Sequence, residues 1–240
     1  MLDVERRRGR IAGVAALLSV LAVWGTVIFA SSTGVRDAGR TGPRVGEKSF
    51  DRAKQLVHFH NGVHDQAIAA ILRSAGLLLT IAVGVYLYSV IRARNPDVPR
   101  LILWTAFAGP VLVAGATIFG FFALRDVADA FVASGARTSE RARHLANTSG
   151  SLQAAAVLDL GSRVVFAVWV GMASLEAMRV GLLTRFLGYW GIGAAGALVL
   201  LPVGDAMFIG WIASIGILAL GYWPGGRPPA WQSTRPLPAE

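Results

Sequence analysis

Residues 11–30 constrain this chain most, because not one of these twenty positions carries a charge. At about 1.5 Å of rise per residue, a helix of this length crosses the roughly 30 Å hydrocarbon core of a bilayer. Lipid offers no water to bond the backbone, so a run of this kind must be helical, and what crosses beside it must be helical too. The signal is repeated. Apolar runs recur at 67–91, 101–124, 161–180, 187–203 and 206–222. The fold class that follows is all-α: a polytopic transmembrane helical bundle of about six spans with two external polar segments.

Composition agrees, since 15% of the residues are charged where a soluble globular chain carries roughly 25%. The net charge of +9 does not point to nucleic acid, because the basic residues are dispersed and many flank apolar runs. No cysteine is present, so disulfides and thiolate metal ligation are unavailable. Only Lys48 and Lys54 are lysines in an Arg-, Ala- and Gly-rich chain, a usage that suggests a GC-rich bacterial genome.

The basic cluster Arg6, Arg7, Arg8 and Arg10 precedes the first run and predicts a cytoplasmic N-terminus over residues 1–10. The apolar run exceeds the roughly 7–15 residues of a signal-peptide core, so an uncleaved anchor is expected. A Gly- and Pro-rich loop with a more helical end then occupies 31–66, the first external segment. The second span carries Arg73 near its outer end, and the short basic loop 92–100 returns the chain through Pro96 and Pro99. Pro110 lies inside the third span, and 125–160 forms the second external segment. The runs at 187–203 and 206–222 are short, so they are read either as two crossings or as a re-entrant hairpin. The transmembrane domain covers 11–223, and the Pro-rich residues 224–240 are expected to be a disordered cytoplasmic tail. Basic residues divide almost evenly between the two sides, but those assigned inside lie in short loops beside the spans, where the orienting bias acts. The expected location is a bacterial plasma membrane with both termini cytoplasmic.

Two constellations are candidates for chemistry. The first is HFHNGVHD, His58 to Asp65. On a continuous helix His60 and His64 share a face and would offer two imidazoles to one divalent metal, with His58 or Asp65 nearby. A third ligand would come from His144, Asp126, Asp129 or Asp159, and Asp65 is the nearest candidate base. The competing reading makes these histidines polar interface residues without cofactor. The second constellation is Asp159 and Arg163, one helical turn apart, with Arg73 at similar depth and Asp126 and Asp129 beside the third span. Ionisable groups at that depth either pair structurally or line a polar ligand-binding cavity. Glu176 and Arg179 form a further local pair.

Small residues recur in GYWGIGAAGA and at Ala116/Gly120, which allows close approach of helices within the chain, between copies, or with a membrane partner. No phosphate-binding loop, nucleophile elbow or dinucleotide fingerprint is present.

The stretches VYLYSVIRARNPDVPR, LILWTAFAGPVL, GFFALRDVADAFVASGA, EAMRVGLLTRFLGYWGI and GYWPGGRPPAW together resemble a set of uncharacterised actinobacterial multi-pass membrane proteins, of the kind grouped as domains of unknown function. The resemblance runs from about residue 57 to 231. It implies a compact helical bundle and carries neither an established activity nor a site residue. Three functions follow as expectations: a non-enzymatic membrane component packing with itself or a partner, a metal-dependent membrane hydrolase at the outer face, and a small-molecule transporter or binder.

Overall fold

The computed structural model describes residues 2–32, 52–135, 138–224, 226 and 228–232. Residues 33–51 and those beyond 232 lie outside them. The helices are α1 (Leu2–Ser32), α2 (Arg52–Asn61), α3 (Val63–Arg94), α4 (Leu101–Ala133), α5 (Ser139–Thr148), α6 (Gly150–Arg179), α7 (Arg185–Leu200) and α8 (Gly204–Leu220), followed by a 3-10 turn, Pro229–Gln232. No strand occurs among the described residues. Four helices, α1, α3, α4 and α6, are long and apolar enough to cross a membrane. The shorter apolar helices α7 and α8 have 16 and 17 residues.

Six helices close into a ring. α1 packs on α3, α3 on α4, α4 on α6, α6 on α7, α7 on α8, and α8 returns to α1. Large apolar side chains point outward from this ring, among them Leu21, Trp104, Phe107, Val111 and Phe122. Water would penalise such a surface, whereas lipid matches it, so the chain is a helical membrane bundle. Close crossings are made at glycines. A Cβ on Gly109 would sit 2.8 Å from the Phe166 backbone, and one on Gly84 would sit 2.7 Å from Ala106.

Turn chemistry explains the helix ends. Asn95 precedes Pro96, which cannot continue α3, and its side chain accepts a hydrogen bond from the Asp97 amide at 3.2 Å. α6 stops at Gly181, φ 73°, and the Thr184 side chain then caps α7. α8 stops at Gly221, φ 91°, where the Tyr222 amide reaches back to the Ile217 carbonyl.

The two ends of the ring carry charge. At one end lie Arg73, Asp159, Arg163 and Asp205, and at the other Arg94, Glu176 and Arg179. Helical rise puts these layers about 24–32 Å apart along α3 and α6, close to a hydrocarbon core. α7 and α8 run between the layers, since Asp205 at their turn meets Arg73 and Arg163. The hairpin therefore reaches the far layer.

Beyond the Arg73 layer, α3, α4 and α6 continue past the ring. With α2 and α5 they bury a second, small core of Leu56, Phe59, Val127, Ala128, Phe131 and Ala142. Much of the expected external segment 125–160 is thus the protruding ends of α4 and α6. Such amphipathic extensions lack the all-round apolarity of a span.

The start of the chain is part of α1 from Leu2 onward. Near the other end, Pro229–Gln232 forms a turn in which Ala230 is fully buried and Trp231 is 8% exposed. Arg94, whose side chain has no exposure, donates to the Ala230 carbonyl through Nε at 2.9 Å and Nη2 at 2.7 Å. It also donates to the Val90 carbonyl at 2.9 Å and pairs with Glu5 at 3.0 Å. Trp231 Nε1 donates to the Leu182 carbonyl at 2.8 Å. Proline-rich composition signals low helix and sheet propensity, but a buried guanidinium needing acceptors supplies the tether. N- and C-terminal segments therefore meet at the same end of the ring.

Candidate functional site

The charged layer beside the α7–α8 turn is the most developed constellation. Arg163 Nε donates to Asp159 Oδ2 at 2.8 Å, the one-turn pair expected from spacing. Arg163 Nη1 reaches Asp205 Oδ1 at 3.4 Å, and Arg73 Nη2 donates to Asp205 Oδ2 at 2.7 Å. Arg73, Asp159 and Arg163, the three ligand-binding candidates, are thereby brought into one network. Asp205, at the turn between α7 and α8, joins them. Its signal was present: a lone carboxylate in LPVGDAMF is costly at a membrane boundary unless a cation meets it. Asp205 also lies in the first turn of α8, where the helix dipole favours negative charge.

Arg73 does not pair with Asp126 or Asp129, the neighbours considered for it. Asp129 sits farther along α4, where His60 Nδ1 donates to it at 2.7 Å and Arg125 lies 3.6 Å away. Asp126 is exposed.

The network overlies a pocket on the ring axis. Val23 of α1, Leu77 and Arg73 of α3, Val113 of α4, Phe166 and Arg163 of α6, Leu198 of α7, and Asp205, Phe208 and Ile209 of α8 line it. All six ring helices contribute, which is why the site exists only once the ring closes. The volume open to water is about 30 Å³. Phe166 and Phe208 meet edge to face at 4.8 Å, with Trp169 tilted against Phe166 and Trp211 tilted against Phe208. Trp169 Nε1, Trp211 Nε1 and Ser174 Oγ are buried there without a hydrogen-bond partner. The four charged side chains are 24–43% exposed, so they are reachable from outside the bundle. Their charges sum to zero. Such a site can exchange ion pairs with a ligand, with apolar side chains beneath to hold its remainder.

The histidine cluster has a different geometry from the one its spacing suggested. Asn61 ends α2 and Val63 begins α3, with Gly62 between them, so His60 and His64 do not lie on one uninterrupted helix. His60 faces Asp129, while His58, His64 and His144 are exposed and Asp65 is half-buried. Of the candidate ligands, His60 and Asp129 are the two that make contact. Among the described residues no group of three or more His, Asp or Glu side chains assembles that could hold a metal ion. Glu176 and Arg179 do pair, at 2.6 Å.

A separate groove opens between α3 and α4. Ser74, Leu78, Val111, Ala114, Gly115, Ile118, Phe119 and Phe122 line it, around a volume of about 520 Å³. A side chain on Gly115 or Gly120 would meet nothing within 4 Å, while Gly188 and Gly191 are filled against Met178 and Ser174. Some small residues thus serve internal packing and others leave surface open.

Comparison with protein-family models, curated proteins and solved structures finds no match.

Proposed function

We propose that this is a non-enzymatic integral membrane protein that binds a small molecule at the charged rim, as a receptor, carrier or transport component. One observation carries this reading: Asp205 bridges Arg73 and Arg163 above an apolar pocket to which every ring helix contributes. Purely structural pairing would need no pocket beneath it and no exposure of four ionised groups. We place the protein in a bacterial plasma membrane with both termini in the cytoplasm. Support comes from Arg92, Arg94, Arg100, Arg179 and Arg185 clustering at helix ends on the side where the terminal segments meet. The rim then faces outward.

The test is thermal unfolding in nanodiscs against pooled small amphiphiles, amines, carboxylates and amino acids. Wild type should gain stability with at least one pool, and Arg73→Gln should lose that gain while keeping its unliganded midpoint within a few degrees. A large unliganded drop in Arg73→Gln, with no pool stabilising wild type, assigns the network to structural pairing.

A second reading is favoured by the α3–α4 groove: the protein packs in the bilayer with itself or a partner helix. Gly115 and Gly120 offer the close approach on which helix association in lipid depends. Cross-linking between single cysteines placed at Gly115 tests it, since the chain has no other thiol. The metal-hydrolase reading finds no such support, because among the described residues His60 and Asp129 bring two donors together and no third.

A further inference from the structure

Resting on the binding reading, we infer that the rim ligand is a small zwitterion with an ammonium, a carboxylate and a short aliphatic group, of the aliphatic α-amino-acid type. The order of charges argues for it. Along Arg73, Asp205, Arg163 and Asp159 the signs alternate, and the Arg163–Asp205 contact is the longest link at 3.4 Å, against 2.7 and 2.8 Å on either side. A ligand carboxylate at Arg163 Nη1 and its ammonium at Asp205 Oδ1 would replace that weak contact with two charge-assisted hydrogen bonds. Neither protein group would be stranded. Asp205 keeps Arg73 through Oδ2, and Arg163 keeps Asp159 through Nε.

A ligand with one charge fits less well. A lone anion would satisfy Arg163 but leave the open oxygen of Asp205 facing it, and a lone cation would do the reverse. Either adds net charge to a neutral cluster at headgroup depth, where unbalanced charge is expensive. The zwitterion leaves the sum at zero.

The pocket sets the size. Leu77, Val113, Leu198 and Phe208 offer only apolar contact, and the free volume of about 30 Å³ is on the order of two water positions. A side chain of a few carbons fits, whereas a long acyl chain or an aromatic ring does not.

The experiment measures thermal unfolding of the full chain in nanodiscs with L-valine, 3-methylbutanoate, 2-methylpropylamine and L-phenylalanine. L-Valine should raise the midpoint, with each singly charged analogue and L-phenylalanine at least tenfold weaker in half-saturating concentration. Arg163→Gln should abolish the valine response, and Arg125→Gln, at an exposed position outside the pocket, should retain it. Equal stabilisation by the amine or the carboxylate overturns the zwitterion assignment, and equal or tighter binding of L-phenylalanine overturns the size limit. No response to valine overturns this ligand class, while the binding reading falls only when the broader pools also fail. Should Arg163→Gln misfold, selectivity among the four compounds in wild type still decides.

Discussion

Truncating the chain after Gly226 should destabilise the whole bundle, although it removes only the end of a proline-rich tail. Three losses follow. Arg94 stays buried but loses the Ala230 carbonyl that accepts from its Nε and Nη2, worth roughly 2–3 kcal/mol for a charged donor. Trp231 no longer covers Tyr86 and the α6–α7 turn, and a buried indole at about 25 cal/mol per Å² contributes roughly 4–6 kcal/mol as an upper value. Its bond to the Leu182 carbonyl adds about 1 kcal/mol. Against these, freeing about five residues returns roughly 5–7 kcal/mol of conformational entropy. The net cost is about 3 kcal/mol. Equilibrium unfolding of full-length and truncated protein in mixed micelles measures it. The same truncation in an Arg94→Leu background should cost about 2 kcal/mol less, because no buried guanidinium is there to lose the Ala230 acceptor. A truncation effect below about 0.5 kcal/mol, or an identical effect in both backgrounds, would refute the reasoning.

Four further outcomes follow. Gly191→Ala should lower stability by about 1–3 kcal/mol, since its Cβ collides with Ser174 Oγ and Trp211 Nε1; equilibrium unfolding reads this. Phe59→Ala should cost the outer cap about 3 kcal/mol or more while the ring persists, seen as faster amide exchange in α2 and α5 with α3 protection near Leu87 unchanged. Asp159→Asn, at the exposed end of the network, should change stability by less than about 1 kcal/mol. The His60→Ala, His64→Ala double variant should show the same metal content as wild type by elemental analysis, because His64 is exposed and His60 is paired with Asp129.

The spans were legible because lipid demands uncharged helices of a fixed length, and that demand is written residue by residue in 11–30 and 101–124. The pairing of Asp159 with Arg163 was legible for the same kind of reason, since one helical turn brings positions four apart together. What sequence could not show was the partner of Arg73. Asp205 lies 132 residues away, and only closure of the ring through α8 brings it beside α3. The His60–His64 expectation depended on an unbroken helix, which ends at Asn61. The tail at Pro229–Gln232 was hidden because its order comes from Arg94 and Leu182 rather than from its own propensity.

The central claim is that the ring opens at its charged rim to an external aqueous phase, with room for a ligand beneath. Ile209 lines the pocket one turn below Asp205, and Ile209→Cys would be the only thiol in the chain. Its reaction with a small, charged, membrane-impermeant methanethiosulfonate, added outside intact bacterial cells, is the most direct measurement. The account predicts modification from outside, slowed by the ligand that stabilises the wild type. A thiol that resists the reagent until the protein is unfolded, or reacts only from the cytoplasmic side, would contradict it.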